Sequence, residues 1–315
     1  MIFRLRHISL SFLLYTLLAF GFTTPSSSQT LRCQNALRNG RFVLPIETSD
    51  LRRLWEDQTL REKAISFFKK GLFKESPNLG AEFIAKLERL LQMSPILTDD
   101  AIYIGLRHFI LDNETVFNLA YKKDDDTRIR ERVRQLKVMT PNTPATILDI
   151  GAGTGQIVSG LATEFGIQPF RAFGVEVAKY MGQSEISWLQ YENNGRIPAT
   201  DRSFDLITIL MVLHHVNNPD YVIREAWRVL NHRGAVIIRE THAPDMNSKL
   251  FNRCMDTMFY RVFSAGTEVP LPHNYKSSEE WRMLFEKSGF KVNKTTEPDY
   301  SNPFTPIYFR LELRE

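Results

Sequence analysis

Apolar residues along this chain keep two different rhythms. From Ser49 to about Met139 they recur every three or four positions, the spacing of one face of an α-helix. In NLGAEFIAKLERLLQM, Ile84, Leu87 and Leu91 form a stripe flanked by Phe83 and Leu90, with Asn78 placed to cap the start. Thr98 ahead of Asp99 and Asp100 predicts another helix start, with acids at its positive end. RIRERVRQLKVM repeats Ile129, Val133 and Leu136 at helical spacing. The break MTPNTPA, with two prolines, ends this regime.

Beyond Pro141, short apolar runs alternate with amphipathic segments. TILDI, AFGVEV, FDLITILMVL and AVIIRE read as strands, the third nearly continuous in apolar residues as a doubly covered parallel strand should be. QIVSGLATEF presents Ile157, Leu161 and Phe165 on one helical face. PDYVIREAWRVL is capped by Asn218, carries Pro219 in its first turn, and turns Val222, Ala226, Val229 and Leu230 inward. In SSEEWRMLFEKSGF, Ser277 and Glu280 form a capping box and Gly289 stops the helix. FKVNKTTE starts an edge strand. This alternation predicts an α/β fold, a Rossmann-like doubly wound, mostly parallel sheet preceded by an α-helical N-terminal region. The boundaries implied are a leader over 1–29, the helical region over 30–140, and a sheet domain over 141–315 with a lid insertion at about 246–275.

The leader changes the picture. MIFRLRH is basic, ISLSFLLYTLLAFGF is an apolar run, and TTPSSSQT breaks it with small polar residues. That order predicts a secretory signal or a membrane anchor through residues 8–22. Arginine without lysine or acid before Glu47 also suits a mitochondrial presequence, and a misassigned start is the third reading. The whole chain, at 43% hydrophobic and 24% charged, has an ordinary globular balance. Net charge is +4, but the basic interval Lys122–Lys137 is interrupted by Asp124, Asp125, Asp126 and Glu131. It reads as a solvated helix face, not a nucleic-acid surface. Cys33 and Cys254 are the only cysteines; they form no CxxC pair, and two unpaired thiols are expected.

The candidate chemistry starts at ILDIGAGTG. Three glycines follow directly on a strand, where the ligand of an open α/β sheet approaches closest. Glycine permits positive φ and lets a ligand lie on the backbone, and the next helix points its positive end there. The spacing is G-x-G-x-G; Gln156 stands where a dinucleotide site needs its third glycine. Asp149 would repel a pyrophosphate but suits an ammonium. Adenosine, carboxylate and amine together imply S-adenosylmethionine.

ILDIGAGTG resembles the first motif of class I S-adenosylmethionine-dependent methyltransferases. FGVEV resembles their second, where an acid clasps the ribose; Glu176 fits. IPATDRSFDLITILMVLHHV and EAWRVLNHRGAVIIRE resemble the fourth- and fifth-strand regions of the UbiE-like, type-11 branch. The resemblance runs from about Ile147 to Gly289. It implies a cofactor site at Asp149, Gly151, Ala152, Gly153, Thr154, Gly155, Glu176 and Met211. Glu192, Asn193 and Asn194 are candidates for the adenine contact, with Asn194 carried forward. The chain departs from the family in the single glycine, Gly234, before the fifth strand.

The methyl of S-adenosylmethionine is already an activated electrophile, so positioning supplies most of the acceleration and no metal is needed. His214, His215, Glu240, His242 and Asp245 follow strands four and five; His242 and His215 are the candidate catalytic residues, while one of the paired histidines is expected to pack under the ligand. NSKLFNRCMDTMFYRVF, rich in methionine and aromatics, suits either a lid for a lipid-like or aromatic acceptor or packing on the N-terminal helices. The expected acceptor is a small molecule or lipid. A nicotinamide-dependent oxidoreductase and a non-catalytic scaffold are the competing readings, and oligomeric state is unread.

Overall fold

A computed structural model of the chain describes residues 49–93, 97–177, 184–192, 195–263 and 273–314, with only the backbone of 120–126. The leader, Cys33 and Asn194 lie outside the described residues. Among the described residues five α-helices come first: α1 (Asp50–Glu56), α2 (Gln58–Phe67), α3 (Pro77–Met93), α4 (Asp99–Asp112) and α5 (Glu114–Met139). Thr98 caps α4 through its hydroxyl, which accepts from the Ala101 N–H at 3.3 Å. Asn78 does not cap α3: the helix already begins at Pro77, and the Gly80 N–H bonds to the Ser76 carbonyl.

The second regime builds one sheet. Its strands are β1 (Ile147–Ile150), β2 (Ala172–Val175), β3 (Ser187–Leu189), β4 (Phe204–Leu210), β5 (Leu230–Thr241), β6 (Phe290–Thr295) and β7 (Pro306–Leu313). They lie in the order β3-β2-β1-β4-β5-β7-β6. β1 to β5 are parallel, and β7 inserts antiparallel between β5 and β6. The order reverses between β1 and β4, which opens the crevice where such sheets bind ligands. Helices α6 (Gln156–Phe165), α7 (Pro219–Val229), α8 (Met246–Met258) and α9 (Ser278–Lys287) complete the fold. The Asn218 cap and the Ser277–Glu280 capping box both form. On α7 Ala226 and Val229 face inward as expected, joined by Ile223 in place of Val222, which is only partly covered.

Three apolar clusters organise the molecule. One sheet face packs on α7 and α9 around Ile207, Ile238, Trp281 and Phe309. The other packs on α5 and α6 around Val133, Leu136, Leu161 and Ile237. The third lies among α1–α4 and is completed by α8 and its continuation, the π-helical turn Phe259–Phe263. Leu250, Phe251, Met255, Met258 and Phe263 are all buried in it, with Phe263 ringed by Phe73, Phe83 and Phe117. The methionine-rich insertion is therefore the closing wall of a helical cap.

Candidate active site

The glycine loop forms as the sequence implied, for a partly different reason. Gly151, Gly153 and Gly155 all hold positive φ, at 73°, 57° and 80°. A Cβ on Gly151 would stand 2.3 Å from Cγ2 of Val212, and one on Gly155 would stand 2.9 Å from Cδ1 of Ile186 and 3.0 Å from the Trp188 ring. At these two positions the protein's own side chains exclude a larger residue. At Gly153 the backbone N–H donates to Glu176 Oε2 at 2.9 Å, so the loop and the end of β2 meet. The other Glu176 oxygen accepts from the Val177 N–H at 2.7 Å. α6 starts at this loop without a side-chain cap, which leaves first-turn N–H groups for an anion. Ala152 is buried, and the Thr154 hydroxyl bonds to Gln156 at 3.1 Å.

Asp149, at the end of β1, is 3% exposed and accepts from the Thr208 hydroxyl at 2.6 Å. Burial pushes its carboxyl up to about 7; the Thr208 bond opposes this and the charge of Glu176 adds to it. Among the described residues no cation pairs with Asp149. Tyr191 lies near Glu176: burial and then that charge hold its phenol well above the usual range. Trp188 buries its indole N–H against the loop with no acceptor. Met211 takes φ 60°, costly for a non-glycine residue, where β4 turns toward the crevice.

These features fit S-adenosylmethionine. Two acidic groups within electrostatic reach of each other suit an ammonium and vicinal hydroxyls; the uncapped helix start suits a carboxylate; Trp188 is an orphaned donor beside the cradle. Asp149, Glu176 and the loop from Gly151 to Gly155 would hold it, and when bound it supplies a methyl group on an electron-poor sulfonium.

Across the crevice the histidines part company. His214 donates from Nδ1 to Glu240 Oε2 at 2.7 Å, while Glu240 Oε1 accepts the Val212 and Leu213 N–H groups at 3.1 and 2.7 Å. His214 Nε2 lies 3.5 Å from Asp256 of α8, and the Tyr275 hydroxyl donates to the same Asp256 carboxylate. Burial pulls the imidazolium down, but Glu240 and Asp256 outweigh it and hold His214 above its ordinary range. His215 is buried beside it, its ring 4.3 Å from that of His214 and edge-on to Tyr260. His242 lies away from this cluster, at the start of α9, where its Nδ1 accepts the Ser278 N–H at 3.0 Å. Burial depresses its basicity, and the neutral ring then carries its proton on Nε2, as a donor. Asp245 caps α8. Sequence reasoning did not single out Trp188, Tyr191, Thr208 or Asp256; only the folded sheet and cap bring them to the crevice.

A family model described as a methyltransferase domain matches residues 121–295. A demethylmenaquinone methyltransferase from Bacillus licheniformis is 29% identical over 180 residues, covering 51% of this chain and 76% of its own length. One from Lactobacillus johnsonii is 34% identical over 107 residues, covering 31% of this chain and 44% of its own. A Thermotoga maritima structure titled a SAM-dependent methyltransferase superposes with a TM-score of 0.46 at 19% identity, covering 66% of this chain and 98% of that one. With more than half of its length matched, the chain belongs to the methyltransferase-domain family and is a class I, type-11-branch S-adenosylmethionine-dependent methyltransferase.

Proposed function

We propose that this methyltransferase acts on a small-molecule acceptor that reaches the crevice over the ends of β4 and β5, beneath the helical cap. The observation that carries the reading is the closed contact between Gly153 and Glu176, which assembles the cofactor cradle and leaves the other half of the crevice to a second ligand. That half is walled by His215, Tyr260 and Tyr275. Two relatives are named for demethylmenaquinone, which supports a small molecule as the acceptor class.

Within the site, Asp149 takes the ammonium end, Glu176 the ribose, and Met211 shapes the floor where β4 ends. Asn194 keeps its proposed adenine role. His214 is committed through both ring nitrogens to carboxylates, and His242 through Nδ1 to α9. His215, buried beside His214 and edge-on to Tyr260, is the general-base candidate for an acceptor that holds its proton. His215→Gln lowers kcat/KM by about 10²–10⁴-fold with S-adenosylhomocysteine affinity intact. The direct test is transfer of labelled methyl from S-adenosylmethionine into metabolite, lipid and protein fractions of a cell extract. Label in the low-molecular-weight fraction is the expected result. Label confined to protein, or tight cofactor binding with no turnover in any fraction, refutes the reading.

A further inference from the structure

Among the described residues, a buried guanidinium on β5 has no counter-ion. Arg239 is 7% exposed, and its Nε meets no acceptor. It lies opposite Tyr308 of β7 in the sheet register, with its guanidinium carbon 5.9 Å from the centre of that ring. The Tyr308 hydroxyl is spent on Gln135 of α5, donating at 2.6 Å, which brings α5 down onto the same patch. One turn before Gln135 stands Arg132. Burial and then the charge of Arg239 push Arg132 down to about 10, still protonated at neutral pH. Among the described residues no carboxylate lies within ion-pairing distance of either arginine. Arg310, farther along β7, is offset by Glu312 at 3.3 Å.

The neighbours do not neutralise the pair. Arg128 and Glu131 act on Arg132 with opposite signs. Toward the cap, Arg239 is within electrostatic reach of His214 and Asp256. Glu240 and Asp256 are already engaged by His214 and Tyr275. His214 and Arg239 thus share Glu240 and Asp256, and Arg132 adds a further positive charge beside Arg239 in a largely covered place. An uncompensated buried charge is expensive, and a planar guanidinium matches carboxylate or phosphate oxygens.

We propose that Arg239 and Arg132 form a recognition site for an anionic group, a carboxylate or phosphate, on the methyl acceptor. The inference rests on the small-molecule reading above and narrows it. The acceptor is the better source of that anion than the cofactor. The cofactor cradle lies on β1 and β2, whereas Arg239 is two strands away, between β4 and β7. The cofactor's carboxylate also has the start of α6 to itself.

Calorimetry on the full chain tests this, with 4-hydroxybenzoate and inorganic phosphate as anionic probes and phenol as the neutral one, each with and without saturating S-adenosylhomocysteine. At least one anion should bind more tightly than phenol. Arg239→Gln and Arg132→Gln should each weaken that anion by about tenfold or more, while S-adenosylhomocysteine affinity stays within about twofold of the parent. Arg132→Gln lies on the helix edge and carries the test if Arg239→Gln does not fold. Three results overturn the proposal: neither anion binding at millimolar concentration, anion binding indifferent to both substitutions, or a parallel loss of S-adenosylhomocysteine affinity, which assigns the pair to the cofactor's own carboxylate. A parent chain that binds no S-adenosylhomocysteine defeats the functional reading first, and the titrations without cofactor separate that failure from this one. In the labelling screen, the methylated product should be retained on an anion exchanger; a neutral product speaks against the site.

Discussion

Asp149→Asn should stabilise the ligand-free protein while damaging its binding site. The carboxyl is 3% exposed, meets one hydroxyl, and is held at about 7 against an ordinary 3.8. Below pH 4 both folded and unfolded forms are protonated, and the group contributes nothing to the pH dependence. As pH rises from 4 to 7 the unfolded chain releases the proton while the folded chain keeps it, so stability falls. At about 1.4 kcal/mol per pH unit, the loss approaches 4 kcal/mol and is complete above pH 7. The amide keeps the shape without the charge and gives up about 1 kcal/mol at the Thr208 bond. Chemical denaturation at pH 8 should therefore show the variant more stable than the parent by about 2–3 kcal/mol, with the difference vanishing or reversing near pH 4.5. Ligand binding runs the other way. An ammonium requires the ionised carboxylate, so S-adenosylhomocysteine affinity of the parent should rise roughly tenfold per pH unit up to about 7 and then level off. The variant should bind weakly with a flat profile. Equal stabilities at pH 8, or a flat profile for the parent, would show that Asp149 is not a buried acid awaiting a cation.

Glu176→Ala removes the acceptor of the Gly153 N–H and the proposed ribose clasp; calorimetry should show S-adenosylhomocysteine affinity down by at least tenfold, about 1.5 kcal/mol or more. Gly151→Ala combines φ 73° with a Cβ 2.3 Å from Val212, and denaturation should register a loss of about 1–3 kcal/mol. His214→Ala strands the buried Glu240 and Asp256 carboxylates, and a loss of about 3–5 kcal/mol is expected at pH 7. A near-neutral result in that last experiment would mean that the His214 contacts contribute little net stability.

The parallel half of the sheet was legible because its strands carry short, mostly apolar runs and α7 and α9 carry explicit caps. β3 was not, since three residues are too few to show a period. β7 alternates Ile307, Phe309 and Leu311 with Tyr308, Arg310 and Glu312, a pattern as plain as any strand's; it lies beyond the stretch the motifs drew attention to. The cofactor cradle was readable because its residues are consecutive or end a strand. The proposed acceptor side was not, because Arg132 and Arg239, like Asp256 and Tyr275, stand far apart in sequence and meet only through tertiary packing. The glycines illustrate a subtler gap: a sequence announces that a position must lack a side chain, but not whether a ligand or Val212 occupies the space.

The burial of α8 among the N-terminal helices bears on how this enzyme can be cut and how it can breathe. A fragment begun at residue 141 would display Leu250, Phe251, Met255 and Met258 to water, at roughly 1.5–3 kcal/mol apiece, and should aggregate instead of yielding a minimal catalytic unit. The same arithmetic sets a high cost on α8 swinging out alone.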